Sequence, residues 1–219
     1  MTSPSRADWL VPTLLIVMSI VPVVAGAARI GGLAIGGEIT PENARFVLSP
    51  APVILHIISA SIFCVFGALQ FSGGIRRRWP RWHRAAGRVV VVSGLAAALS
   101  ALWMTAFYPL APGSGDLLRV IRYVVGSAMV VSIVIAFAAI LRRNVPEHRA
   151  WMIRGYAIGQ GAGTQVFVFL AYLPLTPVFG APDEIGNALL HAIGWTINIA
   201  VAEWIIRRRA APARRLAAA

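Results

Sequence analysis

The sequence predicts an all-α protein, a polytopic transmembrane bundle of about six helices with both termini in the cytoplasm. Of its 219 residues 58% are hydrophobic and only 13% are charged, whereas soluble domains carry roughly 25% charged residues. The apolar residues form blocks of about 20, long enough to cross a hydrocarbon core of about 30 Å as helices. Arginine-rich segments follow alternate blocks, as the positive-inside rule requires of cytoplasmic loops. These observations disfavour a water-soluble fold.

The predicted helices form a single transmembrane domain over residues 1–219. They cover 9–30, 51–71, 88–108, 120–141, 151–173 and 185–206, and a basic cytoplasmic tail follows over 207–219. A signal peptide is the alternative for the first block, because Ala25-Gly26-Ala27 resembles a cleavage site. Asp8 cancels the basic start and the apolar stretch is long, so we expect a helix that is retained.

The distribution of charge sets the predicted orientation. All positive side chains are arginines, and most lie between predicted helices two and three, between four and five, and after six. They are Arg76, Arg77, Arg78, Arg81, Arg84, Arg142, Arg143, Arg149, Arg207, Arg208, Arg209, Arg214 and Arg215. Acids occupy the other loops, so the arginine segments are cytoplasmic and the protein is a multi-pass protein of the inner (cytoplasmic) membrane.

The formal net charge of +12 has a bearing on partners. In a soluble protein such a charge would suggest nucleic acid. Here the arginines flank membrane helices, so no nucleic-acid partner is expected. Membrane lipids with anionic headgroups are the expected partners of the cytoplasmic arginines.

Helix-start signals mark two of the cytoplasmic segments. Asn144 followed by Pro146 and Glu147 has the N-cap, first-turn proline and third-position acid of a capping box, which places His148 in the first turn. Pro80 similarly places His83 in or near a first turn. The step His83-Arg84-Ala85 recurs as His148-Arg149-Ala150, so two cytoplasmic hairpins present the same residues at a helix start.

The four histidines form two pairs by depth. His56 and His191 both lie roughly 8 to 9 Å below the outer boundary, at about 1.5 Å per helical residue. His83 and His148 share the cytoplasmic end, about 20 to 25 Å further across. Ionisable residues inside a membrane usually face the bundle interior and indicate function, although neutral histidine also serves simply as an interhelical hydrogen-bond partner.

Polar and small residues follow helical spacing around the outer histidines. The stripe on the second helix is His56, Ser59, Phe63, Gly67 and Gln70, and the stripe on the sixth is Asn187, His191, Gly194 and Asn198. Three- and four-residue steps place each set on one face of its helix. We therefore expect both outer histidines to face inward.

Two histidines at each level suit haem b better than zinc. Zinc takes four protein ligands, or three and water, and no cysteine or acid is in obvious reach of either pair. Haem iron needs only axial ligands because the porphyrin supplies the rest. The predicted iron ligands are His56, His191, His83 and His148. Predicted propionate partners are Arg84, Arg88, Arg149 and Arg154 at the inner level and Arg119 or Arg122 at the outer. Holding orientation and lipid headgroups is the alternative role of the arginines.

Other features of the helices are expected to be structural. Gly155, Gly159 and Gly163 permit close helix packing, and the glycine-rich run 159–163 lies in a helix, which disfavours a nucleotide loop. Glu203 is expected to pair with Arg207 four residues on. Cys64, the only cysteine, excludes an internal disulfide.

Two resemblances extend these predictions. The run Arg76-Arg77-Arg78-Trp79-Pro80-Arg81-Trp82-His83-Arg84-Ala85-Ala86-Gly87-Arg88, the run His148-Arg149-Ala150-Trp151-Met152-Ile153-Arg154, and His56 after Leu55 resemble a bacterial family of predicted membrane proteins of unknown function, over roughly residues 45–206. More loosely, two histidine pairs at opposite faces resemble transmembrane cytochromes of the ascorbate-reducible b type, which pass electrons between two haems. The sequence departs from the pattern of those cytochromes in that His83 and His148 sit at helix starts.

The sequence thus favours a haem-b-binding membrane electron carrier or oxidoreductase. A redox protein or a quinone is the expected electron partner of such a carrier. Two alternatives stay open. A small transporter or permease subunit would line a polar path with the histidine, asparagine and glutamine stripes, and a membrane scaffold or sensor would bind no ligand.

Overall fold

The structure, a computed structural model, describes residues 6–36 and 38–217, and every regular element in that part of the chain is helical. The predicted all-α class is confirmed. Six helical segments are long and apolar enough to span a membrane: Asp8–Ile35, Pro50–Gln70, Pro80–Phe107, Asp116–Leu141, Gly161–Phe179 and Glu184–Arg208. The cytoplasmic location of the termini stays a prediction.

Ten α-helices make up the described chain. They are α1 Arg6–Ile35, α2 Ala44–Leu48, α3 Pro50–Gln70, α4 Gly73–Arg78, α5 Pro80–Phe107, α6 Asp116–Leu141, α7 Val145–Gly159, α8 Gly161–Tyr172, α9 Thr176–Phe179 and α10 Glu184–Ala217. A single 3₁₀ turn, Leu173–Leu175, joins α8 to α9. The longest packing interfaces are α3 with α5, α6 with α7, and α5 with α6.

Several helices extend beyond the apolar blocks that predicted them. α5 begins at Pro80 and α7 at Val145, whereas the predicted starts were 88 and 151. α10 continues to Ala217, so most of the predicted tail 207–219 is helical. The reason is that hydropathy marks the depth of the hydrocarbon, while proline and N-cap residues mark where a helix begins.

The fifth predicted helix, 151–173, is instead two helices separated at Gln160. The carbonyl of Gln160 accepts from the backbone N–H groups of Gly163 and Thr164. Its side chain, 3% exposed, donates to the carbonyl of Leu15 and to Ser19 Oγ on α1, both at 3.1 Å. Broken helices persist at membrane depth where neighbouring groups satisfy the freed polar atoms.

The core of the bundle surrounds Phe63, which is 1% exposed. Its ring occupies space that a side chain at Gly94 or Gly159 would fill, because a Cβ at either glycine would lie 2.5 Å from that ring. Ile133 and Tyr156 complete the contact. The close approach predicted for the glycines of the fifth helix is therefore confirmed at Gly159.

The bundle has two distinct ends. We call the first the arginine-rich end, where α4, the starts of α5 and α7, and Arg77 lie, with Arg77 Nη2 3.0 Å from Asp8 Oδ2 of α1. At the opposite end Asn187 Nδ2 donates to the carbonyl of Gly113 at 2.8 Å. α1 packs against α3 and α8, and the expectation that it is retained stays a prediction.

Candidate functional site

A cavity of about 510 Å³ lies in the half of the bundle away from the arginine-rich end. Both His56 of α3 and His191 of α10 line it. Its size falls within the roughly 300–1,000 Å³ of small-molecule and cofactor sites. The prediction that the outer histidines face inward is thus confirmed, and the structure brings them to one cavity.

His56 is held by a hydrogen bond across to α5. Its Nδ1 lies 2.9 Å from the carbonyl oxygen of Ala97 and 3.3 Å from Ser100 Oγ. A carbonyl only accepts, so in this contact Nδ1 carries the proton and Nε2 keeps its lone pair. A histidine that binds a metal is anchored in the same way, with its second ring nitrogen donating to a carbonyl.

His191 is anchored within its own helix. Its Nδ1 lies 2.8 Å from the carbonyl oxygen of Asn187, which again leaves Nε2 as the free lone pair. The ring stands edge-on to Phe169 at 5.0 Å between centroids and lies 6.4 Å from Trp195. His56 and His191, the two predicted outer ligands, therefore line the same cavity and have the same tautomer.

Three arginines give the cavity a positive charge. Arg45, Arg119 and Arg122 line it, and within the described part of the chain no aspartate or glutamate lines it. The positive charges of Arg122 and Arg45 repel each other. Arg119 Nη1 reaches the exposed Asp116 at 3.3 Å, but its Nε is buried without a hydrogen-bond partner in the described part of the chain.

Two residues at the cavity rim, Arg45 of α2 and Tyr108, have pKa values that burial shifts. Burial and then Arg29 lower the pKa of Arg45 below its ordinary value. Burial raises the pKa of Tyr108, whose hydroxyl donates to the carbonyl of Ser49. Like charges held together without an acid cost free energy, and an anionic group between them would remove that cost.

The rest of the cavity wall is largely apolar. Met104, Val125, Met129 and Trp195 contribute to it. Gln165, also at the wall, donates from Nε2 to the carbonyl of His191 at 3.1 Å. The site therefore fits a ligand with an apolar body and an anionic end.

The inner histidines occupy equivalent positions on two helices. The backbone N–H of His83 donates to the carbonyl of Trp79, and that of His148 to the carbonyl of Asn144, both at 3.0 Å. Asn144 Oδ1 also accepts from the backbone N–H of Glu147, so the predicted N-cap is confirmed. The repeated His-Arg-Ala step of the two hairpins thus occupies the same position relative to the start of each helix.

The inner pair is closely placed but less completely satisfied. His83 and His148 lie close enough to interact electrostatically. His148 Nδ1 lies 2.9 Å from the carbonyl oxygen of Ala136, whereas His83 Nδ1 and Gln70 Nε2 are buried without hydrogen-bond partners among the described residues. Neither inner histidine lines the cavity described above.

The predicted inner arginines lie in different environments. Arg84, Arg88 and Arg149 are exposed. Arg154 is half-buried, stacks over Trp151 at 4.6 Å, and donates through Nε and Nη2 to both carboxylate oxygens of Glu203. The donors of Arg154 are therefore already engaged within the protein.

The predicted pair of Glu203 with Arg207 needs correction. The carboxylate of Glu203 accepts both hydrogen bonds from Arg154 of α7, and Arg207 adds only an electrostatic interaction. The physical reason is that α7 packs directly on α10. The planar guanidinium can therefore meet the carboxylate as a two-pronged pair, which a flexible neighbour on the same helix does not match.

Sequence patterns did not identify three residues of the site. Arg45 lies in a loop between apolar blocks, and Tyr108 at the end of one, so neither looks like part of a cavity. Gln160, which lines the cavity, is flanked by Gly159 and Gly161. A polar amide between glycines inside an apolar block was the available signal for both the helix break and the polar contact there.

The residues described by the structure contain no group of three or more His, Cys, Asp or Glu side chains that could hold a metal ion. A protein-only zinc site needs three or four such ligands. Haem iron needs only one or two, so two histidines at one cavity are a sufficient donor set for it.

A family model with the description "predicted membrane protein (DUF2306)" matches residues 53–206. The chain belongs to this family. The match contains all four histidines and confirms the resemblance to a membrane protein family of unknown function. The protein is a multi-pass membrane protein. No curated protein and no solved structure matches the chain.

Proposed function

We propose that this DUF2306 protein binds haem b in the cavity between α3 and α10 and carries electrons within the membrane, with His56 and His191 as iron ligands. The observation that carries the proposal is that two histidines, each with Nδ1 bound to a carbonyl, line one cavity of about 510 Å³. Bound haem would supply one-electron exchange at iron, and the chain would supply the ligands and the low-dielectric surroundings.

The charge of the cavity supports the same ligand. Haem b has an apolar macrocycle with two carboxylates at one edge, and the cavity combines an apolar wall with Arg45, Arg119 and Arg122. The unpartnered Arg119 Nε provides a donor that a carboxylate would satisfy. Guanidinium groups bind carboxylates through two parallel hydrogen bonds.

His83 and His148 form the proposed second haem site, at the arginine-rich end. Its support is the shared register of the two histidines and their electrostatic proximity. The exposed Arg84, Arg88 and Arg149 are the candidate propionate partners there. This second site has weaker support, because the cavity reaches neither histidine.

A haemin titration of detergent-purified protein tests the proposal. Soret absorbance would be followed for the wild type, for His56→Ala with His191→Ala, and for His83→Ala with His148→Ala. We expect saturable binding by the wild type and loss of the tight site in the first double variant. The second double variant should keep that site and lose the second one. Equal binding by the wild type and by a variant lacking all four histidines would refute the assignment.

Transport is a second candidate, favoured by the helix break at Gln160. Gln160 borders the cavity and contacts α1 through Leu15 and Ser19. Broken helices near mid-membrane form substrate sites in many transporters. Flux of a small organic anion into proteoliposomes, lost in Arg122→Gln, together with no haemin binding, would favour this function over electron transfer.

A further inference from the structure

A second concave surface lies at the arginine-rich end, outside the site described above. It is a groove of about 780 Å³ between the start of α1, the end of α3, α4 and the start of α5. Trp9, Trp79 and Trp82 line it with Arg78 and Arg81. We call it the tryptophan groove, and we propose that it binds an anionic phospholipid of the surrounding bilayer.

Charge is the first argument. Among the residues that the structure describes, no aspartate or glutamate lines the groove. Asp8, close by on α1, accepts from Arg77, which is not a lining residue. Among the ion pairs of the described residues none involves Arg78 or Arg81. Two guanidinium groups without a carboxylate partner complement a phosphodiester, which accepts hydrogen bonds from both donors of the fork.

The aromatic side chains are the second argument. Trp9, Trp79 and Trp82 are 39%, 50% and 38% exposed, so each ring presents an uncovered face. Tryptophan prefers the headgroup level of a membrane, where its ring is apolar and its N–H is solvated. The Arg78 guanidinium lies 5.4 Å from the centroid of the Trp79 ring, which orients it without using its hydrogen-bond donors.

The floor of the groove fits the remainder of such a lipid. Leu69 of α3 and Ile75 of α4 line it, and Ile75 is 4% exposed. Trp82 stacks on Phe66 of α3 at 6.5 Å, which extends the apolar surface along that helix. An acyl chain can therefore follow α3 while the phosphate stays with Arg78 and Arg81. The proposed lipid site does not depend on haem binding in the cavity.

Native mass spectrometry of the full-length protein in detergent tests the inference. The probes are phosphatidylglycerol and phosphatidylcholine with identical acyl chains, added in equal amounts. Because a basic side chain near a membrane surface favours anionic lipid by about fivefold, we expect wild-type protein to prefer phosphatidylglycerol, and Arg78→Gln with Arg81→Gln to lose about 25-fold of that affinity. Affinity for phosphatidylcholine should not change.

The matched control is Arg142→Gln with Arg208→Gln. It removes the same charge from the same end, and Arg208 also stacks on a tryptophan, Trp204, at 4.2 Å. We expect less than a twofold change in phosphatidylglycerol affinity, and we expect Arg78→Lys with Arg81→Lys to keep more affinity than the glutamine pair. A wild-type preference ratio near one, or an equal loss in the control, overturns the inference. If the glutamine pair fails to fold, a wild-type ratio near one still overturns the inference, and the lysine pair still tests the two arginines.

Discussion

The two ends of the bundle use histidine and arginine in opposite ways. Away from the arginine-rich end, His56 and His191 line a cavity whose three arginines are accompanied by no lining acid. At the arginine-rich end acids are paired with arginines: Arg77 with Asp8, Arg142 with Glu147, and Arg154 with Glu203. Three arginines of the arginine-rich end are therefore neutralised within the protein. Of the three cavity arginines, only Arg119 has an acid partner among the described residues, the exposed Asp116.

This difference separates anchoring from binding. An exposed arginine at a membrane boundary keeps its charge in water and among headgroups, so it needs no acid partner within the protein. A half-buried arginine beside another arginine is costly unless an anion joins it. The cavity is therefore the place to expect a ligand, although the histidine motifs that stand out in the sequence, His83-Arg84 and His148-Arg149, lie at the other end.

Filling the cavity should have the largest effect on binding. Ala101 of α5 lines the cavity, while Ala106 of the same helix is exposed. Ala101→Phe should abolish haem content because the ring occupies the space of the ligand, and Ala106→Phe should leave it unchanged. Haem per chain, measured on purified protein, checks both. Normal haem in Ala101→Phe would place any ligand outside the cavity.

Disrupting the close packing of α8 on α1, beside the cavity, should have the largest effect on the stability of the protein. A Cβ at Gly163 would lie 2.5 Å from the backbone oxygen of Met18, which cannot move aside cheaply. Gly163→Ala should therefore lower the free energy of unfolding by about 1 to 3 kcal/mol. At Gly31 of α1 nothing lies within 4 Å, so Gly31→Ala should be neutral or slightly stabilising. Thermal unfolding in detergent compares them, and equal effects would argue against the α1–α8 contact.

The charge difference between the ends predicts a smaller effect on affinity. Arg122→Gln should weaken haemin binding about 10- to 100-fold, since a charge-assisted hydrogen bond contributes about 1.5 to 3 kcal/mol. Arg84→Gln, an exposed position at the other end, should leave the cavity site within about twofold. The Soret titration measures both, and the reverse order would move the principal site to the arginine-rich end.

The smallest effect is expected from the ion pair of Arg154 with Glu203. Both side chains are about one-quarter exposed, at 27% and 29%. A double-mutant cycle of Arg154→Gln and Glu203→Gln should therefore give a coupling energy of only about 0.5 to 1 kcal/mol. A coupling energy near zero, measured by unfolding in detergent, would contradict this pairing and favour Arg154 as a ligand-binding arginine.

What the sequence could predict depended on patterns within a single helix. Periodicity placed His56 and Ser59 on an inward face, and the N-cap residues placed His148 in a first turn. Contacts between helices left no such pattern. The pairing of Arg154 with Glu203 depends on how α7 lies against α10, and the position of Arg45 at the cavity depends on the placement of the short helix α2.

The helix break shows the same limit. Hydropathy treats 151–173 as one apolar block, because Gln160 is a single polar residue within it. Its side-chain hydrogen bonds are to Leu15 and Ser19, which lie on a helix far away in the sequence, so no local pattern predicts them. Glycines on either side made the break possible without specifying it.

A dithionite-reduced minus oxidised absorption spectrum of the purified protein, with haem quantified per chain, tests the central claim most directly. The protein should be expressed with ample haem. We predict sharp b-type bands with at least one haem per chain, and a second haem would assign the inner pair as well. A flat spectrum from a folded protein would contradict the electron-transfer proposal and favour transport or a ligand-free role.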